Sequence, residues 1–434
     1  MGMRVLVLGG GGREHALVRS LAASPLVGAV IAAPGNGGTA GEPKTANMPL
    51  AIEDPAAVVA CACENAIDLV VVGPEAPLVA GVADGVRAAG IPCFGPGAAG
   101  ACIEGSKAFA KGLMERHTIP TGRSRSFSAG EREAAHELLG QWGAPVVVKA
   151  DGLAAGKGVT VAFDLDIARA AVDECLDGRF GEAGSTVLIE EYLDGPECSL
   201  LALVDGRTVL PLAPAQDYKR VGDGDIGPNT GGMGVYSPVP LVGDAEYAAM
   251  LAVMQATADA LADEDIAYRG VLYGGFILTA EGPKVLEFNA RFGDPETQVV
   301  LPRLKSDLAE ALLACAEGRL AEVELEWVPE VAVSVVIASE GYPGPYETGK
   351  PISGIEAAER LPGVSVYHAG TRLAPAAAAA DSAVLTAGGR VLNMTAVASG
   401  FEAAIAVAYA GVERISFEGA FFRRDIARRA LGQP

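Results

Sequence analysis

The chain has 434 residues and a formal net charge of -21, with 33 lysine and arginine residues against 54 aspartate and glutamate residues. A chain this acidic is a poor non-specific partner for nucleic acid, whose phosphates select basic surfaces. No apolar run approaches the length of about 20 residues that a membrane span needs. We therefore expect no nucleic-acid partner and no membrane segment, a cytoplasmic location, and about three domains for a chain of this length.

The cysteine pattern points away from a metal centre or a disulfide framework. The seven cysteines, at positions 61, 63, 93, 102, 175, 198 and 315, include no CxxC pair. Cys61 and Cys63 have no matching histidine or second pair nearby. Scattered cysteines of this kind predict reduced thiols in a cytosolic protein.

The first hundred residues alternate apolar strands with helices. The predicted strands are residues 4–8, 29–33, 67–72 and 92–94, and each ends in a loop rich in glycine or proline. Such alternation predicts a doubly wound parallel sheet whose ligands lie at the carboxyl ends of its strands. Glu75 stands at one such end, where it would bind a sugar hydroxyl or an amine, or serve only as a turn residue.

Four glycines, Gly9 to Gly12, follow the first strand and precede a predicted helix from Arg13 to about Ala23. Bare backbone N–H groups at a helix start form an anion site, so a substrate phosphate is one interpretation and a tight turn is the other. The dinucleotide fingerprint G-x-G-x-x-G fails, because its third glycine falls on Glu14 or His15. A nicotinamide-dependent reductase is therefore disfavoured.

The middle of the chain resembles a nucleotide site without a Walker loop. The segments GACIEGSK (100–107) and GLAAGKG (152–158) both miss the P-loop pattern, in the order or spacing of their residues. Instead, a strand at 146–149 ends in Lys149, and a glycine-rich loop then leads to a strand at 159–162. We expect this hairpin to fold over phosphates and to be mobile without nucleotide. The alternative is a solvated strand end.

Further strands are predicted at 186–189, 200–204 and 209–211, with a paired-glutamate hinge from Glu190 to Leu193. The segment KVLEFNARFGDPETQ (284–298) then begins as a strand on which Glu287 and Asn289 share one face. A carboxylate beside an amide oxygen suits Mg²⁺, and an arginine such as Arg291 stabilises charge in phosphoryl transfer. The alternative is a half-buried strand with a solvated polar face.

A lysine loop, a glutamate hinge and a Glu-x-Asn-x-Arg strand, in this order, resemble the ATP-grasp superfamily. Longer segments resemble one family within it, phosphoribosylamine–glycine ligase, also called glycinamide ribonucleotide synthetase. They are GREHAL (12–17), APGNGGT (33–39), VGPEAPLV (72–79), EGSKAFAK (104–111), VKADGLAAGKGV (148–159), QDYKRVGDGDIGPNTGGMGVYSP (216–238), EFNARFGDPETQ (287–298), HAGT (368–371) and RRDIARRA (423–430).

The resemblance implies an enzyme of the second step of de novo purine synthesis, with ATP and Mg²⁺ or Mn²⁺ as cofactors. ATP would phosphorylate the glycine carboxylate, and the amine of 5-phosphoribosylamine would attack the glycyl phosphate. A multidomain α/β and α+β fold with three domains is expected. They are a substrate-binding domain with a doubly wound parallel sheet at 1–103, an ATP-grasp domain at 104–325 with a mobile lid at 121–188, and a small α+β domain at 326–434. A monomer is expected, with a dimer as the alternative.

The resemblance also assigns site residues. The metal ligands are Glu287 and Asn289, and the catalytic residues are Lys149, Arg291 and Asp294. The predicted ATP-binding residues are Lys107, Lys149, Gly156, Glu190, Glu191, Tyr192, Leu193 and Glu197. The predicted substrate-binding residues are Gly10, Gly11, Gly12, Gly73, Pro74, Glu75, Asp217, Lys219, Arg291, Gly293 and Asp294.

Two departures from the family pattern stand out. Gly10 occupies a position where many relatives have asparagine, and Gly274-Gly275-Phe276 stands where many ATP-grasp enzymes have a further acidic ligand. The second departure leaves the number of metal ions open. Two other functions remain as alternatives: an ATP-grasp ligase that uses a different carboxylate, and a catalytically silent nucleotide-binding protein of the same fold.

Overall fold

A computed structural model of the chain describes residues 2–152, 158–179, 181, 185–375 and 384–433. Its amino-terminal strands are β1 (Met3–Gly9), β2 (Val27–Pro34), β3 (Thr45–Asn47), β4 (Leu69–Val72) and β5 (Cys93–Phe94). The helices between and after them are α1 (Gly12–Ala23), α2 (Pro55–Glu64), α3 (Glu75–Val79), α4 (Val82–Ala88) and α5 (Ala98–Gly105).

These five strands form one parallel sheet in the order β3-β2-β1-β4-β5. Apolar residues on both faces of β1, from Val5 to Leu8, are fully buried, as expected for a central strand covered by helices on both sides. The predicted doubly wound parallel sheet is confirmed. Strand β3 was not predicted, because its three residues are short and mixed in polarity.

The next segment builds a small antiparallel sheet. It contains α6 (Lys107–Arg116), β6 (Ser124–Ser128), α7 (Arg132–Trp142), β7 (Val146–Ala150), β8 (Val159–Ala162), α8 (Leu165–Leu176) and β9 (Thr186–Glu191). The strand order is β6-β9-β7-β8. Ser106 begins α6 by accepting a hydrogen bond from the Phe109 amide, and Asp164 begins α8 in the same way from Asp166 and Ile167.

The central sheet carries the segment predicted to hold the metal. This sheet consists of β10 (Glu197–Asp205), β11 (Thr208–Pro211), β16 (Arg269–Thr279) and β17 (Gly282–Asn289). Its strands are antiparallel, in the order β11-β10-β16-β17. Between them the chain forms β12 (Gln216–Asp217), β13 (Arg220–Gly222), β14 (Ile226–Asn229), β15 (Gly234–Ser237) and α9 (Asp244–Asp263). Helices α10 (Thr297–Val300) and α11 (Leu308–Glu317) follow β17.

The carboxy-terminal part contains β18 (Val331–Ser339), α12 (Ile355–Glu359), β19 (Val364–His368), β20 (Thr371–Leu373), β21 (Val384–Thr386), β22 (Arg390–Ala398), α13 (Phe401–Val412) and β23 (Ala420–Phe421). Its sheet has the order β12-β15-β18-β22-β19, and β23 also pairs with β18. The sheet thus includes strands from residues 216–237, far before residue 326. The predicted domain boundaries stay predictions.

Three apolar clusters stabilise these layers, and one of them lies between the sheet of β6 to β9 and the helices α7 and α8. The other two join the amino-terminal sheet to the central and carboxy-terminal sheets, so packing is continuous across the three parts. In the part of the chain that the structure describes, no helix is long and apolar enough to cross a bilayer.

Candidate active site

One cavity of about 570 Å³ lies where the three parts meet. Its lining includes ten of the predicted site residues: Glu75, Lys107, Lys149, Glu190, Asp217, Lys219, Glu287, Asn289, Arg291 and Asp294. Residues that the sequence did not single out also line it, among them Arg13, Glu104, Lys111, Tyr273, Glu296 and Arg390. Most of these side chains are charged, so the cavity suits an anionic ligand with its metal rather than an apolar one.

Glu287 and Asn289 line this cavity together at the end of β17. Opposite them on β16, Gly275 pairs with Glu287 and contributes no side chain of its own to the site. Burial alone would raise the pKa of Glu287, but Lys219, Lys149, Lys107 and Arg291 together hold that pKa below its ordinary value. The pair is thus an anionic carboxylate and an amide oxygen, a donor set that fits Mg²⁺ or Mn²⁺.

A β-bulge on β17 sets the position of Lys149. The register of β16 and β17 shifts between Gly275 and Phe276, so Leu286 has no strand partner. The Leu286 carbonyl accepts a hydrogen bond of 3.2 Å from Nζ of Lys149. The lysine at the end of β7 is therefore held beside the strand that carries the predicted metal ligands.

The structure places the start of the predicted hinge differently, because Glu190 lies within β9. We expected a strand to end at Ile189 and a hinge to begin at Glu190, whereas β9 continues through Glu191 because Val146 and Val147 of β7 pair with it. The buried Glu190 carboxylate lies 2.9 Å from Nζ of Lys149 and 3.0 Å from Nζ of Lys111. Its side chain thus binds two lysines and does not project from a hinge.

The other predicted ATP residues lie in several places. Lys107 lines the cavity and donates a hydrogen bond of 3.1 Å to the Gly152 carbonyl at the start of the glycine-rich loop. Glu191, Tyr192, Leu193 and Glu197 lie outside the cavity lining. Gly156, together with the rest of residues 153–157, is outside the described residues.

Arg291 follows the end of β17 and still faces the cavity. Its guanidinium lies 3.0 Å from the carboxylate of Glu104 and 3.4 Å from that of Glu75. Burial raises the pKa of Glu104 despite Arg291, whereas Arg291 and Arg13 outweigh burial and lower the pKa of Glu75. The arginine predicted for phosphoryl transfer is thus paired with two glutamates of the protein.

Asp217 and Lys219 lie together in the cavity lining. Nζ of Lys219 is 3.0 Å from Asp217 and 3.2 Å from Glu197. Burial lowers the pKa of Lys219, but these two carboxylates, with Tyr273 and Glu287 behind them, raise it well above its ordinary value. Lys219 is therefore a permanent cation at the cavity wall.

Asp294 binds the carboxy-terminal part of the chain. Its carboxylate lies 3.3 Å from Arg390 and accepts a hydrogen bond of 2.8 Å from Gln298. Although burial raises the pKa of Asp294, the cations Arg390 and Arg13 hold it below its ordinary value. Gly293, the preceding residue, lies against Glu296 and Tyr273 rather than in the cavity lining.

The glycine loop before α1 is already occupied by a carboxylate of the protein. The Gly11 amide donates a hydrogen bond of 2.6 Å to Glu14, whose side chain also lies against Gly9 and Gly73. A substrate phosphate at this helix end would therefore share it with Glu14. Gly10, Gly12 and Pro74 lie outside the cavity lining, and Arg13 is the residue of this turn that reaches the cavity.

Comparison with known proteins identifies the family. Three family models match consecutive parts of the chain: Phosphoribosylglycinamide synthetase, N domain, at residues 3–104, the ATP-grasp (A) domain at 105–297, and the C domain at 332–429. The chain belongs to the phosphoribosylglycinamide synthetase family.

Relatives of this synthetase family match it from end to end. Phosphoribosylamine–glycine ligases of Allochromatium vinosum and Agrobacterium fabrum are 52% and 50% identical over 434 and 433 residues, covering 99% of both chains in each comparison. The crystal structure of phosphoribosylamine–glycine ligase from Thermotoga maritima is similar with a TM-score of 0.82 and 33% identity, over 98% of this chain and 100% of that one.

A more distant structure supports the fold alone. The biotin carboxylase domain of 2-oxoglutarate carboxylase from Hydrogenobacter thermophilus has a TM-score of 0.70 at 18% identity, covering 97% of this chain and 92% of that chain. The predicted ATP-grasp fold, the predicted family and the class of ATP-dependent ligase are confirmed.

Two further residues of the synthetase site, Lys111 and Glu104, could have been predicted from the sequence. Lys111 follows Lys107 by four residues, so both lie on one face of α6. Glu104 belongs to the quoted EGSKAFAK segment and accepts a hydrogen bond from the Ala290 amide. Arg390, by contrast, stands far from every motif in the sequence, and only the fold brings it to Asp294.

Proposed function

We propose that the enzyme joins glycine to 5-phospho-D-ribosylamine and converts ATP to ADP and phosphate, giving glycinamide ribonucleotide in the second step of de novo purine synthesis. The proposal is supported by sequence identity of 50% and 52% to phosphoribosylamine–glycine ligases over 99% of the chain. It is also supported by one cavity that is lined by Glu287, Asn289, Arg291 and Lys149. The proposal assigns each group of charges a step.

The ATP half of the site consists of cations and the metal pair. Lys107 and Lys149 would contact the phosphates, and Glu287 and Asn289 would hold Mg²⁺ or Mn²⁺, whose positive charge neutralises phosphate oxygens. Backbone groups of residues 190–193 would receive the adenine, because the Glu190 side chain is bound to Lys111 and Lys149. Glu197 would accept hydrogen bonds from the ribose hydroxyls.

In the first chemical step a glycine carboxylate oxygen bonds to the γ-phosphorus, and the bond from that phosphorus to the β-phosphate oxygen breaks. Arg291 would neutralise the charge on the transferring group. To do so it has to exchange Glu104 or Glu75 for the phosphoryl oxygens. Since phosphoryl transfer depends on position and charge, no covalent protein nucleophile is needed.

In the second step the ribosylamine nitrogen attacks the glycyl carbon, and the bond from that carbon to the phosphate oxygen breaks. The proton that the nitrogen loses passes to the departing phosphate or to water. Asp294, with its lowered pKa, would orient the amine as a hydrogen-bond acceptor rather than act as a strong base. Asp217 and Lys219 would hold the glycine and the ribosylamine, and Glu75 would bind the sugar or its amine. The glycine turns Gly10–Gly12 and Gly73-Pro74 would contact the ribosylamine phosphate.

Purified protein with Mg²⁺, ATP, glycine and freshly generated phosphoribosylamine tests the proposal through release of ADP. We expect turnover only when both glycine and phosphoribosylamine are present. Other carboxylates, such as alanine, formate and bicarbonate, serve as matched alternatives to glycine. ADP release that ignores either substrate, or prefers another carboxylate, would reject the assignment. The monomeric state and the cytoplasmic location remain predictions from the sequence.

A further inference from the structure

The RRDIARRA segment near the end of the chain contributes no residue to the cavity lining. The two-stranded hairpin β13–β14 connects it to the cavity. At the base of this hairpin, Lys219 lines the cavity, and Thr230 donates a backbone hydrogen bond of 2.7 Å to the Lys219 carbonyl. Asn229, Thr230 and Gly231 also line the cavity. The hairpin base is therefore part of the reaction site.

The tip of the hairpin, Asp223 to Asp225, lies away from the cavity and binds the chain near its carboxy-terminal end. The Gly224 amide donates a hydrogen bond of 2.9 Å to Asp425, and Asp223 accepts one of 2.7 Å from the Arg424 amide. Asp225 forms ion pairs with both Arg423, at 2.9 Å, and Arg429. Each of the three residues at the hairpin tip therefore contacts residues 423–429.

The same two arginines lie over the ring of Tyr218. Their guanidinium carbons are 4.7 Å (Arg423) and 4.2 Å (Arg429) from the ring centre, which are cation–π distances. Tyr218 stands between Asp217 and Lys219, and both neighbours line the cavity while Tyr218 does not. Alternation along an extended backbone explains this, because adjacent side chains point to opposite sides.

Arg423 is the most strongly held residue of the segment. Its side chain is 1% exposed and forms a two-point contact with Asp425, at 2.8 and 2.6 Å. It also donates a hydrogen bond of 2.9 Å to the Arg220 carbonyl, at the start of the hairpin. These hydrogen bonds of the buried Arg423 side chain hold the segment and the hairpin together.

We propose that residues 422–430 position the reaction site: Arg423 and Arg429 hold Tyr218 and Asp225, and thereby fix the side chains of Asp217 and Lys219 toward the cavity. The proposal rests on the proposed function, in which Asp217 and Lys219 hold glycine and the ribosylamine. The lysines assigned to the ATP phosphates, Lys107 and Lys149, lie on α6 and β7, whereas Glu197, assigned to the ribose of ATP, lies 3.2 Å from Nζ of Lys219.

Arg429→Gln is the test, because Arg429 is partly exposed and its loss leaves the buried Arg423 in place. The exposed neighbour Arg428 provides the matched control, Arg428→Gln, with the same change of charge. We expect Arg429→Gln to raise the KM for glycine or for phosphoribosylamine about fivefold and to raise the KM for ATP by clearly less. Arg429→Lys is expected to restore part of the loss, since a lysine keeps a cation over the ring.

Hydrogen exchange of residues 217–231 in the intact protein gives a second readout that needs no turnover. Faster exchange there in Arg429→Gln, but not in Arg428→Gln, supports the proposal even if wild-type protein fails to use glycine, which would reject only the proposed function. Unchanged exchange and unchanged KM values would overturn the positioning role. Equal increases in all three KM values would also overturn it, because they indicate a general loss of structure.

Discussion

The guanidinium of Arg291 lies 3.4 Å from the carboxylate of Glu75, and this ion pair joins the segment that follows β17 to the start of α3 in the amino-terminal part. Each residue is predicted to serve a different substrate. If phosphoribosylamine binds Glu75, Arg291 loses one of its two anionic partners and is freer to turn to the phosphoryl group. We therefore predict that the pair links binding of the amine to phosphoryl transfer.

Glu75→Gln tests this link. We expect the KM for phosphoribosylamine to rise about tenfold, the factor that corresponds to loss of a charge-assisted hydrogen bond of about 1.4 kcal/mol. We also expect ADP release without phosphoribosylamine to increase, because Arg291 is then less strongly held. Glu64→Gln, an exposed change at the end of α2, is the control. A wild-type KM for phosphoribosylamine would contradict the role of Glu75.

Glu287→Gln tests the metal pair. The amide keeps the size of the side chain and removes its charge, so we expect turnover to fall about a hundredfold or more while the thermal midpoint stays close to that of wild type. Titration of Mn²⁺ in the presence of ADP should show weaker binding. Glu281→Gln changes an exposed glutamate in the turn before β17 and should leave both quantities unaltered. Near-normal turnover of Glu287→Gln would remove the metal assignment.

Arg390→Gln tests how Asp294 is kept ionised. Arg390 is the leading cation that lowers the pKa of this buried carboxylate, so its removal should raise that pKa. Because a carboxylate functions above its pKa, the acid limb of kcat/KM for phosphoribosylamine should move to higher pH in the variant. Arg372→Gln, an exposed arginine of the same carboxy-terminal part, provides the control. An acid limb at the wild-type pH would show that Asp294 does not limit the reaction.

Because His368 is buried, we predict that the stability of the protein depends on pH. Burial, with the nearby His15 and Arg19, lowers its pKa to about 3, and burial also lowers the pKa of His15, which accepts a hydrogen bond from the His368 amide. Glu42 lies against His15, and Arg19 binds Glu42 and Glu359. Unfolded histidines take up protons first as the pH falls below about 6.5.

The free energy of unfolding should therefore be greatest above pH 6.5 and should fall between pH 6.5 and 4, by up to about 1.4 kcal/mol per pH unit for each histidine. The measurement is the thermal midpoint at several pH values. His368→Asn should reduce the slope, whereas His136→Asn, at a half-buried surface position, is the control. The same slope in His368→Asn and wild type would contradict the prediction.

Local patterns in the sequence predicted much of this structure. Apolar runs predicted four of the five strands of the parallel sheet, and period-two alternation placed Glu287 and Asn289 on one face. The bulge at Leu286 escaped prediction, because it depends on the pairing of β17 with β16. The extension of β9 through Glu191 escaped it for the same reason, since the strand is completed by β7.

Contacts between segments that are distant in the sequence could not be predicted from it either. Nothing near Asp294 indicates that Arg390 binds it, and nothing in the QDYKR segment indicates that Tyr218 lies under two arginines of RRDIARRA. The occupation of the glycine turn by Glu14 depends on a helix start that brings its carboxylate back to Gly11. These features come from tertiary packing, which composition and spacing do not encode locally.

The ion pairs that cross the cavity have a consequence for recombination between related sequences. Glu75 and Arg291 lie in the regions of different family models, as do Asp294 and Arg390, so each pair has one member on either side of a family-model boundary. A chimera that exchanges one part with a relative inherits half of each pair. Such hybrids should function only where the donor carries the same charge, and second-site changes that rescue a faulty hybrid should appear at the partner residue.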